Sequence, residues 1–109
     1  MELEIEIKAS NNLYLFDLFN TKKLQPNVLY SVPGDVNLYL KDKIEFKESV
    51  SEIIRTIIVD FGVGFSAGLF ANYLYNKFKK NNISKIKINN MTVIVTNENL
   101  LNELKKYQK

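Results

Sequence analysis

The chain has 109 residues, of which 46% are hydrophobic and 25% are charged, and its formal net charge is +3. This length fits one domain, residues 1–109, and the composition excludes a disordered chain and a polytopic membrane protein. Because cysteine and histidine are both absent, disulfides, thiolate nucleophiles and metal sites built on imidazole or thiolate are excluded.

The remaining side chains give no sign of catalysis. A reaction would have to rest on Asp, Glu, Lys, Ser, Thr or Tyr, and no pair of these stands out by its spacing. We therefore expect no enzyme, no metal and no cofactor. The opening MELEIEIK lacks the pattern of a signal peptide, so a cytoplasmic location is expected. The abundance of Asn, Lys and Ile suggests an AT-rich bacterial or phage genome.

The first 47 residues predict an antiparallel meander. Residues 2–8 alternate apolar and charged side chains, which is typical of a half-buried strand. Residues 13–19 fit a short helix and a buried strand about equally, and we favour the helix. Pro33-Gly34-Asp35 predicts a turn, since glycine tolerates the positive φ that a type II turn requires. Further strands are predicted over residues 28–32, 36–41 and 44–46.

The longest apolar stretch, residues 49–82, predicts the central helix. Ser49-Val50-Ser51-Glu52 has the sequence of a capping box, and the lysines from Lys77 onward would complement a helix C-terminus. Asn81-Asn82 is suited to a left-handed helix end. Because Gly62 and Gly64 lie in the middle of the stretch, the helix is either continuous or broken there.

Beyond this stretch the pattern predicts a hairpin and a last helix. Residues 85–88 and 92–96 read as strands joined by a tight Asn89-Asn90 turn. Thr96 or Asn97 would then cap a short C-terminal helix. The fold class predicted from the whole pattern is α+β. A mostly antiparallel sheet, made of the N-terminal meander and the late hairpin, would pack on the long glycine-containing helix.

A continuous central helix would carry apolar residues on every side and would need covering on every side. Its small residues line up at helical spacing as a groove suited to close contact with a second chain. We therefore predict a non-catalytic protein–protein interaction or self-associating module, with the chain itself as the partner. An inhibitor or accessory protein encoded by a phage or mobile element would fit this description. The interface residues predicted in the groove are Asp60, Gly64, Gly68, Ala71 and Tyr75.

A membrane-attached protein is one alternative, with residues 53–76 as the spanning helix. Gly64 and Gly68 would then form a GxxxG helix-pairing motif, and the following lysines a cytoplasmic flank. Asp60 and the glycines oppose insertion, and the apolar run barely reaches the roughly 20 residues that a bilayer requires.

A second alternative divides the stretch into a strand and a helix. A strand over residues 56–61 would be followed by Gly62, Gly64 and Gly68 opening a helix, as in dinucleotide-binding turns. These glycines would then be the contact positions. The spacing departs by one residue from G-x-G-x-x-G, and no acid follows about 20 residues later.

Nucleic-acid binding is a third alternative, since residues 61–109 hold eight basic against two acidic side chains. A helix C-terminus and the solvent face of a hairpin would explain the same lysines without a ligand. The candidate anion-binding residues are Lys77, Lys79, Lys80, Lys85 and Lys87.

Overall fold

The computed structural model describes residues 2–46 and 52–108, with residues 42–46 described by their backbone alone. The strands are β1 (Glu2–Ala9), β2 (Tyr30–Val32), β3 (Val36–Phe46), β4 (Ile53–Phe61), β5 (Lys85–Ile88) and β6 (Met91–Ile94). The helices are α1 (Leu13–Leu18), α2 (Ala67–Lys80) and α3 (Asn97–Lys105). These elements confirm the predicted α+β class.

The strands form one six-stranded sheet in the order β2-β3-β4-β1-β5-β6, and all neighbouring strands are antiparallel. A simple meander would place β1 beside β2. Instead β1 lies in the centre, where Ile5 faces Ile57 of β4 on one side and Ile88 of β5 on the other. The first strand of the chain therefore joins the N-terminal strands to the late hairpin.

The alternation in β1 divides the sheet into two faces. Leu3, Ile5 and Ile7 are almost fully buried, whereas Glu2, Glu4 and Lys8 are exposed. The apolar face lies in one hydrophobic core together with the inward side chains of all three helices. The opposite face carries no helix in the described part of the chain, and we call it the open face. Its polar side chains follow directly from the period-2 pattern.

The central apolar stretch is broken, and the continuous helix over residues 50–80 is wrong. Residues 53–61 form β4, and only residues 67–80 form a helix. The β-branched and apolar residues of β4 are buried between two neighbouring strands, which outweighs their helical spacing. Ser66 caps α2, since its side-chain oxygen accepts a hydrogen bond from the backbone N–H of Leu69. Of the predicted capping box, residues 49–51 lie outside the described part of the chain.

Several local predictions are confirmed. Residues 13–18 form a helix, and Gly34 has a φ of 100° in the turn between β2 and β3. Asn89 and Asn90 have φ values of 48° and 69°, as a tight turn between two antiparallel strands requires. Thr96 caps α3 by accepting a hydrogen bond from the backbone N–H of Asn99.

Candidate functional site

The segment from Gly62 to Gly64, which follows β4, packs against the side chain of Asp35. The Asp35 carboxylate accepts a hydrogen bond from the backbone N–H of Gly64 at 2.7 Å. The Gly62 N–H donates to the Asp35 carbonyl at 2.8 Å. The strand–glycine–helix order is thus present, but the anion held by the Gly64 N–H is an internal carboxylate. Gly62 and Gly64 are explained by this close approach, because a Cβ at Gly62 would lie 2.5 Å from the Asp35 carboxylate.

The predicted groove residues do not share one helix face. Asp60 lies in β4 on the open face, opposite Glu2, and Gly64 lies in the loop before α2. The other three residues are on α2. Gly68 is exposed, and no atom lies within 4 Å of the position that a Cβ would occupy there. Ala71 is fully buried, and Tyr75 is partly buried. The prediction of a continuous helical groove is therefore wrong, because Asp60 belongs to a strand and Gly64 to a loop.

The five candidate lysines are divided among different surroundings. Lys77 donates a hydrogen bond to Asp17 at 2.9 Å, and the Lys80 ammonium lies 3.6 Å from the same carboxylate. The ammonium of Lys79 lies 5.6 Å from the centre of the Tyr75 ring. Two of the lysines of α2 thus share one carboxylate of α1. Of the five, Lys85 and Lys87 line a cavity together.

Asp17 is a structural anchor between α1 and α2. Its second carboxylate oxygen accepts a hydrogen bond from the Asn81 side chain at 3.1 Å. The hydrogen bond from Lys77, assisted by that from Asn81, lowers the pKa of Asp17 below its usual value. Nearby, the Tyr73 hydroxyl donates to the Leu18 carbonyl at 2.6 Å. Lys77 and Lys80 at the end of α2 therefore contact a carboxylate of the same protein.

A cavity with a volume of about 270 Å³ opens between β1 and β5. The two strands pair only at Ile5–Ile88 and Glu6–Lys87 and then separate. The cavity lies where they diverge, beneath the loop that follows α2. Its charged and polar lining residues are Glu6, Lys8, Glu52, Asn82, Ser84, Lys85, Lys87 and Thr92.

Sequence reasoning missed Glu6, Lys8 and Glu52 as members of this cavity. The alternation in residues 2–8 correctly places Glu6 and Lys8 on the polar face of a strand. Which strand lies beside them depends on the pairing of β1 with β5, across 81 residues from Glu6 to Lys87. No local pattern in the sequence reports that pairing.

A second feature is the outer edge of β6, the last strand of the described sheet. The strand reads Met-Thr-Val-Ile and contains neither a charged residue nor a proline. Met91 is 65% exposed and Ile94 is 55% exposed. Natural edge strands are normally protected by charges, prolines or bulges, because their unpaired backbone groups can bind another strand.

Three polar atoms are buried near the N-terminus of α1 without a hydrogen-bond partner among the described residues. They are Asn12 Oδ1, the Tyr14 hydroxyl and Arg55 Nε. Burial raises the pKa of Tyr14 above its ordinary value, although the charge of Arg55 acts in the opposite direction. Arg55 lies opposite Ile7 on the apolar face of the sheet, and Tyr14 of α1 lies in the core that covers this face. An unpaired polar group is costly there.

Three further observations bear on the class of protein. Among the side chains that the structure describes, in residues 2–41 and 52–108, no cluster of three or more Asp and Glu residues is placed to hold a metal ion. None of the described helices has the length and apolar character needed to cross a membrane. No protein-family model, curated protein or solved structure matches the chain.

Proposed function

We propose that the protein is a non-catalytic interaction module that self-associates through the outer edge of β6. The observation that carries this proposal is the unprotected edge itself, an uncharged strand with two exposed apolar side chains. The partner is a second copy of the chain. We thus propose the edge of the sheet, instead of the central stretch, as the surface for the self-association that the sequence predicts.

The hydrogen bonding of the hairpin identifies the backbone groups available for pairing. The Val95 N–H donates to the Ser84 carbonyl at 2.9 Å. The backbone N–H and C=O groups of Met91, Val93 and Val95 are therefore directed toward β5. Thr92 and Ile94 consequently direct their backbone groups outward. The Ile94 carbonyl already accepts from the Thr96 N–H and the Asn99 side chain. Thr92 N–H, Thr92 C=O and the Ile94 N–H are left for a partner strand.

A twofold axis beside Val93 would bring Thr92 of each copy opposite Ile94 of the other. Each Ile94 N–H would then donate to the Thr92 carbonyl of the second copy, which extends the sheet across the interface. The lack of charge in β6 means that no like charges of this strand meet across the axis. A four-residue edge buries less area than a standard interface, so the expected affinity is weak, with a dissociation constant of about 10 µM or higher.

The test is the molar mass in solution from about 10 µM to about 1 mM, measured by sedimentation or light scattering. We expect the native chain to shift from monomer to dimer. The variant Ile94→Lys places a charge on the edge and should stay monomeric. The matched control is Leu69→Lys, because Leu69 is 60% exposed on α2, away from the edge.

Two outcomes would contradict the proposal. A native chain that stays monomeric at the highest concentration excludes self-association. A dimer that persists in Ile94→Lys but is lost in Leu69→Lys would place the interface on α2 instead. Both substituted positions are exposed, so each variant should retain the native circular dichroism spectrum and a cooperative unfolding transition.

A further inference from the structure

The cavity between β1 and β5 has the features of a ligand site, and of the four β6 residues only Thr92 lines it. Three lysines line it, Lys8, Lys85 and Lys87, against two acids, Glu6 and Glu52. The ion pairs found among the described residues use Lys41, Lys77, Lys80 and Lys106 as their cations. No described carboxylate therefore lies within 4.0 Å of the three lysine ammonium groups in the cavity.

The strand separation also leaves backbone groups directed into this gap. Glu4 exchanges hydrogen bonds with Asn89 on the β5 side, so Glu6 and Lys8 direct their backbone groups to the same side. On β5, Ser84 bonds toward β6, so Lys85 faces β1. Continuing the register from Glu6–Lys87 would pair Lys8 with Lys85, but the strands have separated before that point. Their N–H and C=O groups therefore line the gap together with the lysine side chains.

We propose that this cavity binds a small oxyanion group, a carboxylate or a phosphate carried by a compact molecule. The ammonium groups of Lys8 and Lys85 and the backbone N–H groups of the separated strands would hold its oxygens. The cavity volume of about 270 Å³ lies just below the roughly 300–1,000 Å³ of typical small-molecule sites, so only a compact ligand would fit. The two acids in the lining reduce the positive potential, which disfavours a polyanion such as nucleic acid.

The test uses the full-length protein labelled with ¹⁵N and titrated with inorganic phosphate and, in a second arm, with acetate at constant ionic strength. We expect saturable shifts in the amide signals of Lys8, Ser84 and Lys85 in at least one arm. The arm that saturates at the lower concentration identifies the oxyanion class. The double variant Lys8→Gln/Lys85→Gln should bind about tenfold more weakly.

Two further variants separate a specific site from general charge attraction. Lys22→Gln removes a lysine that is exposed and does not line the cavity, and its affinity should equal that of the native chain. Glu52→Gln removes a repulsive charge from the lining, so affinity should rise about threefold. Shifts that do not saturate in either arm, or an equal loss in Lys22→Gln and the double variant, would overturn the proposal.

Discussion

The carboxylate of Asp35 is held by the backbone N–H of Gly64 at a distance of 2.7 Å, across 29 residues of sequence. This contact fixes the turn between β2 and β3 against the segment that leads from β4 into α2. The Ser66 N–H reinforces it by donating to the Gly34 carbonyl at 3.0 Å. Gly62 and Gly64 thus lie against Asp35 in an intramolecular contact at one end of the sheet.

Substitution of Gly62 and of Gly68 should distinguish the effect of this close contact on stability from the effect of helix propensity. Gly62→Ala places a methyl group 2.5 Å from the Asp35 carboxylate, so we expect a loss of about 1–3 kcal/mol in the free energy of unfolding. Gly68→Ala meets no atom within 4 Å and lies in the first turn of α2, so stability should rise by up to about 1 kcal/mol. Urea denaturation measures both changes. A Gly62→Ala protein as stable as the native chain would contradict the close approach.

Tyr14, which is buried, and Tyr73, which is partly buried, should respond differently to loss of the hydroxyl. The Tyr73 hydroxyl donates to the Leu18 carbonyl at 2.6 Å, so Tyr73→Phe should lose about 1 kcal/mol of stability. The Tyr14 hydroxyl has no partner among the described residues. Tyr14→Phe should therefore be neutral or slightly stabilising. Equal losses in the two variants, measured by thermal and urea unfolding, would contradict this assignment.

Tyr73 should also affect stability at alkaline pH. Burial, together with the charge of Asp17, raises the pKa of Tyr73 to about 12 from its ordinary value of 10.0. A folded-state pKa above the unfolded value means that the stabilising contribution is complete below pH 10 and is lost as the pH rises toward 12. Tyr73→Phe should remove this part of the alkaline decline. A decline of unchanged steepness in the variant would exclude Tyr73 as its source.

The contacts of Asp17 with Lys77, Lys80 and Asn81 should stabilise the fold more than a surface ion pair does. Asp17→Asn weakens the contacts with Lys77 and Asn81, and we expect a loss of about 1–2 kcal/mol at neutral pH. The control is Glu103→Gln, because the Glu103–Lys106 pair is a single exposed contact at 3.1 Å and should be worth less than about 0.5 kcal/mol. Equal effects of the two substitutions would contradict a structural role for Asp17.

The acid dependence of stability should follow the same carboxylate. Because the pKa of Asp17 is lower in the folded protein than its ordinary value of 3.8, its contribution is present above that pH and lost as the pH falls through the lowered value. Asp17→Asn should therefore flatten the decline of stability below about pH 4. Unfolding free energies measured from pH 7 down to pH 2 test this, and an unchanged decline would contradict it.

Of the two asparagines in the turn between β5 and β6, Asn89 should contribute more to the stability of the protein. The Asn89 side chain accepts from the Glu4 N–H at 2.9 Å and donates to the Tyr107 hydroxyl at 2.8 Å. Asn89→Ala removes both bonds and places alanine at a φ of 48°, so we expect a loss of about 1–3 kcal/mol. Asn90→Gly keeps a permissive residue at a φ of 69° and should be neutral. Similar stability of the two variants would contradict the bridging role of Asn89.

Local patterns in the sequence are sufficient for much of the fold. The alternation of Leu3, Ile5 and Ile7 and the Asn89-Asn90 turn depend on neighbouring residues, and both predictions are confirmed. The stretch from Ile53 to Phe61 is wrongly predicted as helix because apolar residues buried on both sides give no period-2 signal, and they also match a helix.

The candidate sites can be predicted only in part. Lys85 and Lys87 are found because clustered lysines are visible in the sequence. Lys8 is not assigned to their site, because its position beside β5 depends on the pairing of two strands that are far apart in the sequence. The prediction of a helical groove is wrong for the same reason. Asp60 and Gly64 contact residues that are distant in the sequence.

The central position of β1 has a consequence for synthesis on the ribosome. Ile5 emerges long before Ile57 and Ile88, the two residues that will flank it in the sheet. At a translation rate of roughly 5–20 residues per second, β1 waits on the order of ten seconds for its second partner strand. Its alternating glutamates discourage pairing with other nascent chains during that interval. The charges on the open face thus disfavour association of the nascent chain and also keep this face of the folded sheet hydrated.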